Sequence, residues 1–124
     1  MDTDAFIRKM FETDSYIRSI TIVNNEFHVL ASKQREGVPS YTTEEQERNF
    51  MSIMPPIVMH AVEKLCVYLR EMDGFTAHFR KALLVFYRSG AMIVVISFKP
   101  QVGTPFYERI TMAFKEFSAQ YLKG

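Results

Sequence analysis

The side chains best suited to metal or nucleophilic chemistry are His28, His60, His78 and Cys66. A zinc site needs three or four N, S or O ligands at workable spacing. These histidines are widely separated, and none sits in an H-E-x-x-H arrangement. Cys66 would need an adjoining base to act as a nucleophile. His60 lies six residues upstream on the same helical stretch, about 600° around and off the face of Cys66. Cys66 therefore reads as a packed helix cysteine. Gly37, Gly74, Gly90 and Gly103 are scattered and form no phosphate-cradling loop. Glu44 and Glu47 stand at a helix start, where the helix dipole explains two carboxylates better than acid–base work does. Arg80, Lys81, Arg88 and Lys99 fall near the ends of two predicted strands. They read as a charged sheet margin that discourages edge pairing, or as a patch for an anion or acidic partner. No catalytic constellation, metal site or cofactor motif emerges, so the expectation is a protein that is not an enzyme.

The chain has 124 residues and a mass of 14.5 kDa, which predicts one domain spanning residues 1–124. With 48% apolar and 23% charged residues, it can bury a core, and whole-chain disorder is excluded. Fifteen basic against fourteen acidic residues leave +1, too little to drive binding to nucleic acid or an anionic membrane. Apolar runs such as Ala91–Ser97 are far too short for membrane insertion. One cysteine excludes an internal disulfide. The start, Met1-Asp2-Thr3-Asp4, is acidic and unlike a signal peptide, so the expected location is the cytoplasm.

The patterning predicts the elements around these residues. Phe6, Ile7, Met10 and Phe11 form one stripe of a short helix, with Thr3 or Asp4 as its cap. Ile17 and Ile20–Val23 form a strand, Asn24-Asn25 a two-residue turn, and Glu26–Ser32 a half-polar edge strand with Phe27, Val29 and Ala31 on one face. After a loop at Lys33–Tyr41, Thr42 with Glu45 and Thr43 with Gln46 both fit a capping box. A long helix toward Met72 should follow, kinked or split near Met54 by Pro55-Pro56. Phe75–Phe79 should be a short edge strand. Ala82–Tyr87 and Ala91–Phe98 are apolar on both faces and so should be central. A loop at Lys99–Gly103 precedes Thr104, a capping residue, and Pro105 in the first turn of a closing helix. That helix carries Phe106, Ile110, Ala113, Phe114, Phe117 and Tyr121 on one stripe.

The resulting order is α-β-β-α-β-β-β-α, an α/β (α+β) chain. It resembles the roadblock (dynein light chain) domain and its profilin-like and longin-like structural relatives. The resemblance is carried by Asp14–Val23, by the hairpin into Leu30-Ala31-Ser32, and by Ala91–Phe98. The run from Arg18 through Arg35-Glu36-Gly37 to Thr43-Glu44-Glu45 is similar to uncharacterised archaeal members of that group. Roadblock hairpins often turn with glycine, and Asn25 stands here instead. The resemblance implies a five-stranded antiparallel sheet, with the first and last helices on one face and the middle helix on the other. It also implies a non-enzymatic scaffold that dimerises, with a small GTPase or another signalling protein as partner.

The middle helix is apolar nearly all round. Phe50, Met54, Val58, Ala61, Val62, Leu65 and Leu69 should pack on the sheet. Met51, Ile53, Ile57, Met59, Cys66, Val67 and Tyr68 remain. A second apolar face needs a second partner, and methionines suit adaptable interfaces. The expected interface is therefore Met51, Ile57, Met59, Cys66 and Val67, extended by Phe75 and Phe79 on the edge strand, in a homodimer. The alternative is a sensory domain holding a small ligand between sheet and helix, lined by Phe79, Phe86, Tyr87 and Phe98.

Overall fold

The computed structural model of the chain describes residues 1–100 and 103–123. Helix α1 is Thr3–Thr13, followed by strands β1 (Ile17–Val23) and β2 (Val29–Gln34). Helix α2 (Glu44–Val62) and the short α3 (Cys66–Leu69) lead to β3 (Gly74–His78), β4 (Leu83–Ser89) and β5 (Met92–Phe98). Helix α4 (Thr104–Phe117) continues into a π-helical turn at Ser118–Leu122. The strands form one antiparallel sheet in the order β2-β1-β5-β4-β3. The half-polar β2 and the short β3 are its edges, and the doubly apolar β4 and β5 lie inside it.

One face of the sheet carries Ile17, Ile20, Ile22, Leu83, Val85, Tyr87, Val94, Ile96 and Phe98. Ile17 and Ile20 are an odd number of residues apart, yet both point to this face. A register shift between Ile17 and Ser19 absorbs the extra residue. Helices α1 and α4 cover this face with Phe6, Ile7, Met10, Phe106, Ile110 and Phe114. Phe114 stacks on Tyr87 at 4.5 Å and meets Phe6 edge-on at 6.2 Å. The π-helical turn brings Leu122 into the same core, and the Asp2 amide donates to the Tyr121 carbonyl at 2.7 Å. The opposite face has a smaller core of Val23, Phe86, Ile93 and Val95 under Met51 of α2.

Local departures from the sequence expectations have physical reasons. The α1 cap is Asp2, whose carboxylate accepts from the Ala5 amide at 3.0 Å, and not Thr3 or Asp4. The β1–β2 turn is longer than Asn24-Asn25. The Asn24 side chain accepts from the Glu26 and His28 amides, both at 2.9 Å, and so holds a five-residue loop. Phe27, not an asparagine, takes the positive φ of 64° in that loop. Its ring packs with the smaller core, whereas Ala31 packs on the larger, so the expected common face of Phe27, Val29 and Ala31 does not form. The Thr43–Gln46 capping box forms in both directions, at 2.9 and 3.1 Å. The Thr42 hydroxyl donates instead to Glu47 at 3.1 Å.

Helix α2 runs through Pro55-Pro56. Pro55 is fully buried, and that burial offsets the missing donor. The break comes later, where Leu65 bonds back to Val62 and Cys66 to Glu63. Gly103, not Thr104, occupies the cap position of α4, with no side-chain bond, and Pro105 lies in the first turn. Of the expected loop Lys99–Gly103, Gln101 and Val102 lie outside the described residues.

Two outcomes test this packing. Phe114→Ala should lose about 3–5 kcal/mol of unfolding free energy in denaturant titrations, and the half-buried Phe117 clearly less. Equal small losses would contradict the layer of α1 and α4. The second concerns Tyr87, whose hydroxyl shares a 2.9 Å hydrogen bond with Thr111. Burial pushes its phenol above the usual 10.0, and the Thr111 bond opposes that only in part. The folded state therefore disfavours the phenolate. This contribution is intact below pH 10 and is lost as the pH climbs through the raised value. Tyr87→Phe should flatten the alkaline decline in stability, measured as Tm between pH 9 and pH 11.

Candidate functional site

The inner side of α2 is set by Met51, Pro55 and Met59, one helical turn apart, with Phe50 beside them. Met51 is 5% exposed and belongs to the core beneath the helix. This corrects its placement on the outer face: Met54 and Val58 are only half-buried, and Leu65 and Leu69 are exposed. The helix is rotated by about one residue from the expected phase, with the Pro55 ring in the most enclosed position. Met59 is half-buried against the Phe86 cluster.

Of the other residues expected at an interface, Ile57 is 62% and Val67 78% exposed, and Cys66 is half-buried. Ile57 and Val67, with Ile53, Leu65, Tyr68 and Leu69, are the large exposed apolar residues of α2, α3 and the turn between them. Phase explains the α2 members, but α3 is a four-residue helix with no buried residue. Phe75 stacks on Phe86 at 4.3 Å, so its ring belongs mainly to the small core. Its strand, β3, pairs only with β4 and leaves one backbone edge open. Phe79 is exposed just beyond β3, beside a cleft and away from α3.

That cleft has a volume of about 380 Å³ and lies between the sheet and the first half of α2. Its floor includes Ser19, Thr21 and Ser97, with Val95 and Leu84. Ser19 and Ser97 are register partners on β1 and β5, and their hydroxyls share a short hydrogen bond. Thr21 pairs in the same way with Ser32 of β2, at 2.9 Å. Phe50, Met51 and Phe79 form apolar walls. Tyr41 stands at the mouth with the Arg18 guanidinium 4.4 Å and the Lys81 ammonium 5.5 Å from its ring centre. Arg18 also donates to the Pro39 carbonyl at 2.8 Å, which ties the β2–α2 loop to β1.

Of the aromatic residues expected to line a ligand pocket, only Phe79 does so. Phe86 fills the small core, while Tyr87 and Phe98 point to the opposite face. The sequence reading missed Arg18, Ser19, Thr21, Tyr41 and Ser97. The polar residues of β1 were a usable signal, since Arg18, Ser19 and Thr21 interrupt an apolar strand. Ser97 sits in a run read as wholly apolar, but it faces the cleft.

The four basic residues do not form one patch. Arg80, Lys81 and Lys99 belong to the end of the sheet where Leu83 pairs with Phe98, and Arg88 lies near the opposite turn. His28 and His60 sit beside Glu26 and Glu63 respectively, on exposed ground. Among the described residues no group of three or more His, Cys, Asp or Glu could hold a metal. Among them, too, no helix is long and apolar enough to cross a membrane.

No protein-family model matches the sequence, and no curated protein matches it. Among solved structures the chain is similar to the gliding protein MglB from Thermus thermophilus, with a TM-score of 0.71 and 13% identity over 92% of this chain and 81% of that one. An MglB with a tetrameric arrangement gives 0.72 at 12% identity, over 94% and 82%. A Roadblock/LC7 domain from Streptomyces avermitilis gives 0.68 at 8% identity, over 98% of each chain. The chain thus has the roadblock-like fold that its element order resembles.

The rotated helix phase has a direct test. Met51→Ala should cost about 2–5 kcal/mol of stability. Val67→Ala, on an exposed side chain, should stay within about 0.5 kcal/mol. Similar losses at the two positions, read by urea unfolding, would put Met51 back on the surface.

Proposed function

We propose that this chain is a non-enzymatic interaction module of the cytoplasm, which pairs with its own copy and docks or regulates a signalling partner, with a small GTPase as the partner class. The observation that carries the reading is the apolar surface of α2 and α3. Ile53, Ile57, Leu65, Val67, Tyr68 and Leu69 are all more than half exposed there. An exposed apolar patch of this kind favours association. A two-fold axis would bury it against an identical patch, the commonest oligomer geometry. Cys66 borders the same surface, and the open edge of β3, with Phe75 and Phe79 at its ends, can extend the contact by strand pairing. The roadblock-like fold adds support, since one structure that shares it, an MglB, has a tetrameric arrangement. The GTPase class rests on the resemblance to roadblock domains.

Light scattering at micromolar concentration should give twice the monomer mass of 14.5 kDa. Val67→Glu and Ile57→Glu should each return the monomer, because both copies bring the same charge to the axis and must desolvate it. Arg88→Glu, away from that surface, should leave the dimer intact. A wild-type monomer at every concentration would overturn self-association. A pull-down from native extract that recovers no GTPase on a dimeric bait would remove the partner class and leave the dimer.

A further inference from the structure

The cleft under the first half of α2 exists because the sheet has small polar side chains there. Along the rest of this face the sheet presents Val23, Phe86 and Ile93, which fill the space under the helix. At the other end it presents Ser19, Thr21 and Ser97, with Ala82 at the margin. Close-packed interiors leave few voids larger than a water molecule. The volume of about 380 Å³ is within the range of small-molecule sites. Thr21 and Ser97 are themselves buried, so the floor is a set of hydroxyls withdrawn from solvent.

Several polar groups of the cleft can donate to a ligand. Two hydroxyls that bond to each other spend one proton between them. Whichever of Ser19 and Ser97 donates, the other keeps a proton that can be given to a ligand. Thr21 can do the same when Ser32 is the donor of their pair. Arg18 and Lys81 can only donate, and they converge on Tyr41 at the mouth. Of the acceptors nearby, Gln46 Oε1 accepts the Thr43 amide and Glu47 accepts the Thr42 hydroxyl. The cleft thus holds two cations and one carboxylate, with apolar walls made by Phe50, Met51 and Phe79.

We propose that this cleft is a binding site for a small carboxylate with an apolar body. The apolar part lies on the walls, and the carboxylate accepts from the hydroxyl floor or the two cations. A ligand carrying an ammonium group would meet Arg18 and Lys81 as like charges, and a plain hydrocarbon would leave the hydroxyls without an acceptor. The site is on the inner side of α2, so it does not depend on the outer surface used for self-association.

Phenylacetate is a suitable probe, with phenylacetamide as its uncharged counterpart of the same shape. Titration of the full chain, followed by backbone amide NMR, should give saturable shifts at Thr21, Lys81 and Ser97. Phenylacetamide should bind about tenfold more weakly, the scale of a hydrogen bond to a charged group. Lys81→Ala should narrow that difference. Ser97→Leu should fill the cleft and abolish binding, and Thr21→Val, nearly the same shape, should weaken it if Ser97→Leu fails to fold. No saturable shift at millimolar probe would overturn the site. So would equal binding of the amide, or shifts confined to Ile57, Val67 and Tyr68. Mass measurement on the same samples separates this outcome from the association state, since loss of the dimer with binding intact would affect only the interaction reading.

Discussion

Strands β1, β5 and β4 are inner strands of the sheet, and each must bury both of its faces. Every other layer answers that requirement. Ile93 and Val94, neighbours on β5, point to opposite sides, and each is buried by a different set of helices. One side receives two helices. Phe6, Ile110 and Phe114 reach across the sheet and enclose its larger core. Among the described helices the other side receives α2, which contributes few buried side chains, Met51 and Pro55. A cover this narrow cannot fill the space over the whole sheet. The inequality between the two layers accounts for the apolar surface outside α2 and the cleft inside it.

Polar groups fix how the larger layer closes. Arg35, just after β2, sends its guanidinium to the carbonyls of Phe11, Asp14 and Ile17, at 2.6–2.9 Å, and lies over the Phe11 ring. It satisfies a carbonyl at the end of α1, where intrahelical donors run out. Asp14 pairs with Arg109 of α4 and accepts the Tyr16 amide at 2.8 Å. The end of α1, the start of β1 and the body of α4 are therefore joined at one corner. At the other end of α1 the Asp2 amide holds the π-helical turn that brings Leu122 to the core. Gly74 is a similar constraint at the far edge, since a Cβ there would lie 2.3 Å from the Phe86 carbonyl oxygen. The pairing of β3 with β4 needs a residue without a side chain at that point.

The two candidate surfaces of α2 differ in chemistry as well as place. The outer one is apolar and continues onto α3, whose side chains lack any buried anchor. The inner one is a recess with hydroxyls below and cations at its mouth. Tyr41 links the recess to the β2–α2 loop through Arg18, which bonds to Pro39 in the same loop. A ligand in the recess would thus touch the segment that leads into α2.

The element order was legible in the sequence because its signals are local. Alternation and β-branched runs mark β1, double apolarity marks β4 and β5, and the Thr43–Gln46 box starts α2 at the right place. The edge positions of β2 and β3 were legible for the same reason, since half-polar or short strands cannot be buried on both sides. The rotation of α2 was not legible. Its residues are apolar nearly all round, and only packing against the sheet decides that Met51 and Pro55 go inward while Ile53 and Ile57 stay outside. The cleft was hidden for a related reason. Ser19 and Thr21 share a face of β1 by alternation, but Ser97 is far from them in sequence, and only the register of β1 with β5 and β2 brings Ser97 and Ser32 to them, where hydroxyls meet in pairs. Sequence alone determined which segments form elements and which strands need two covers. The tertiary structure decided which side of the middle helix is inside and what lies beneath it, because both depend on side chains that meet only across the sheet.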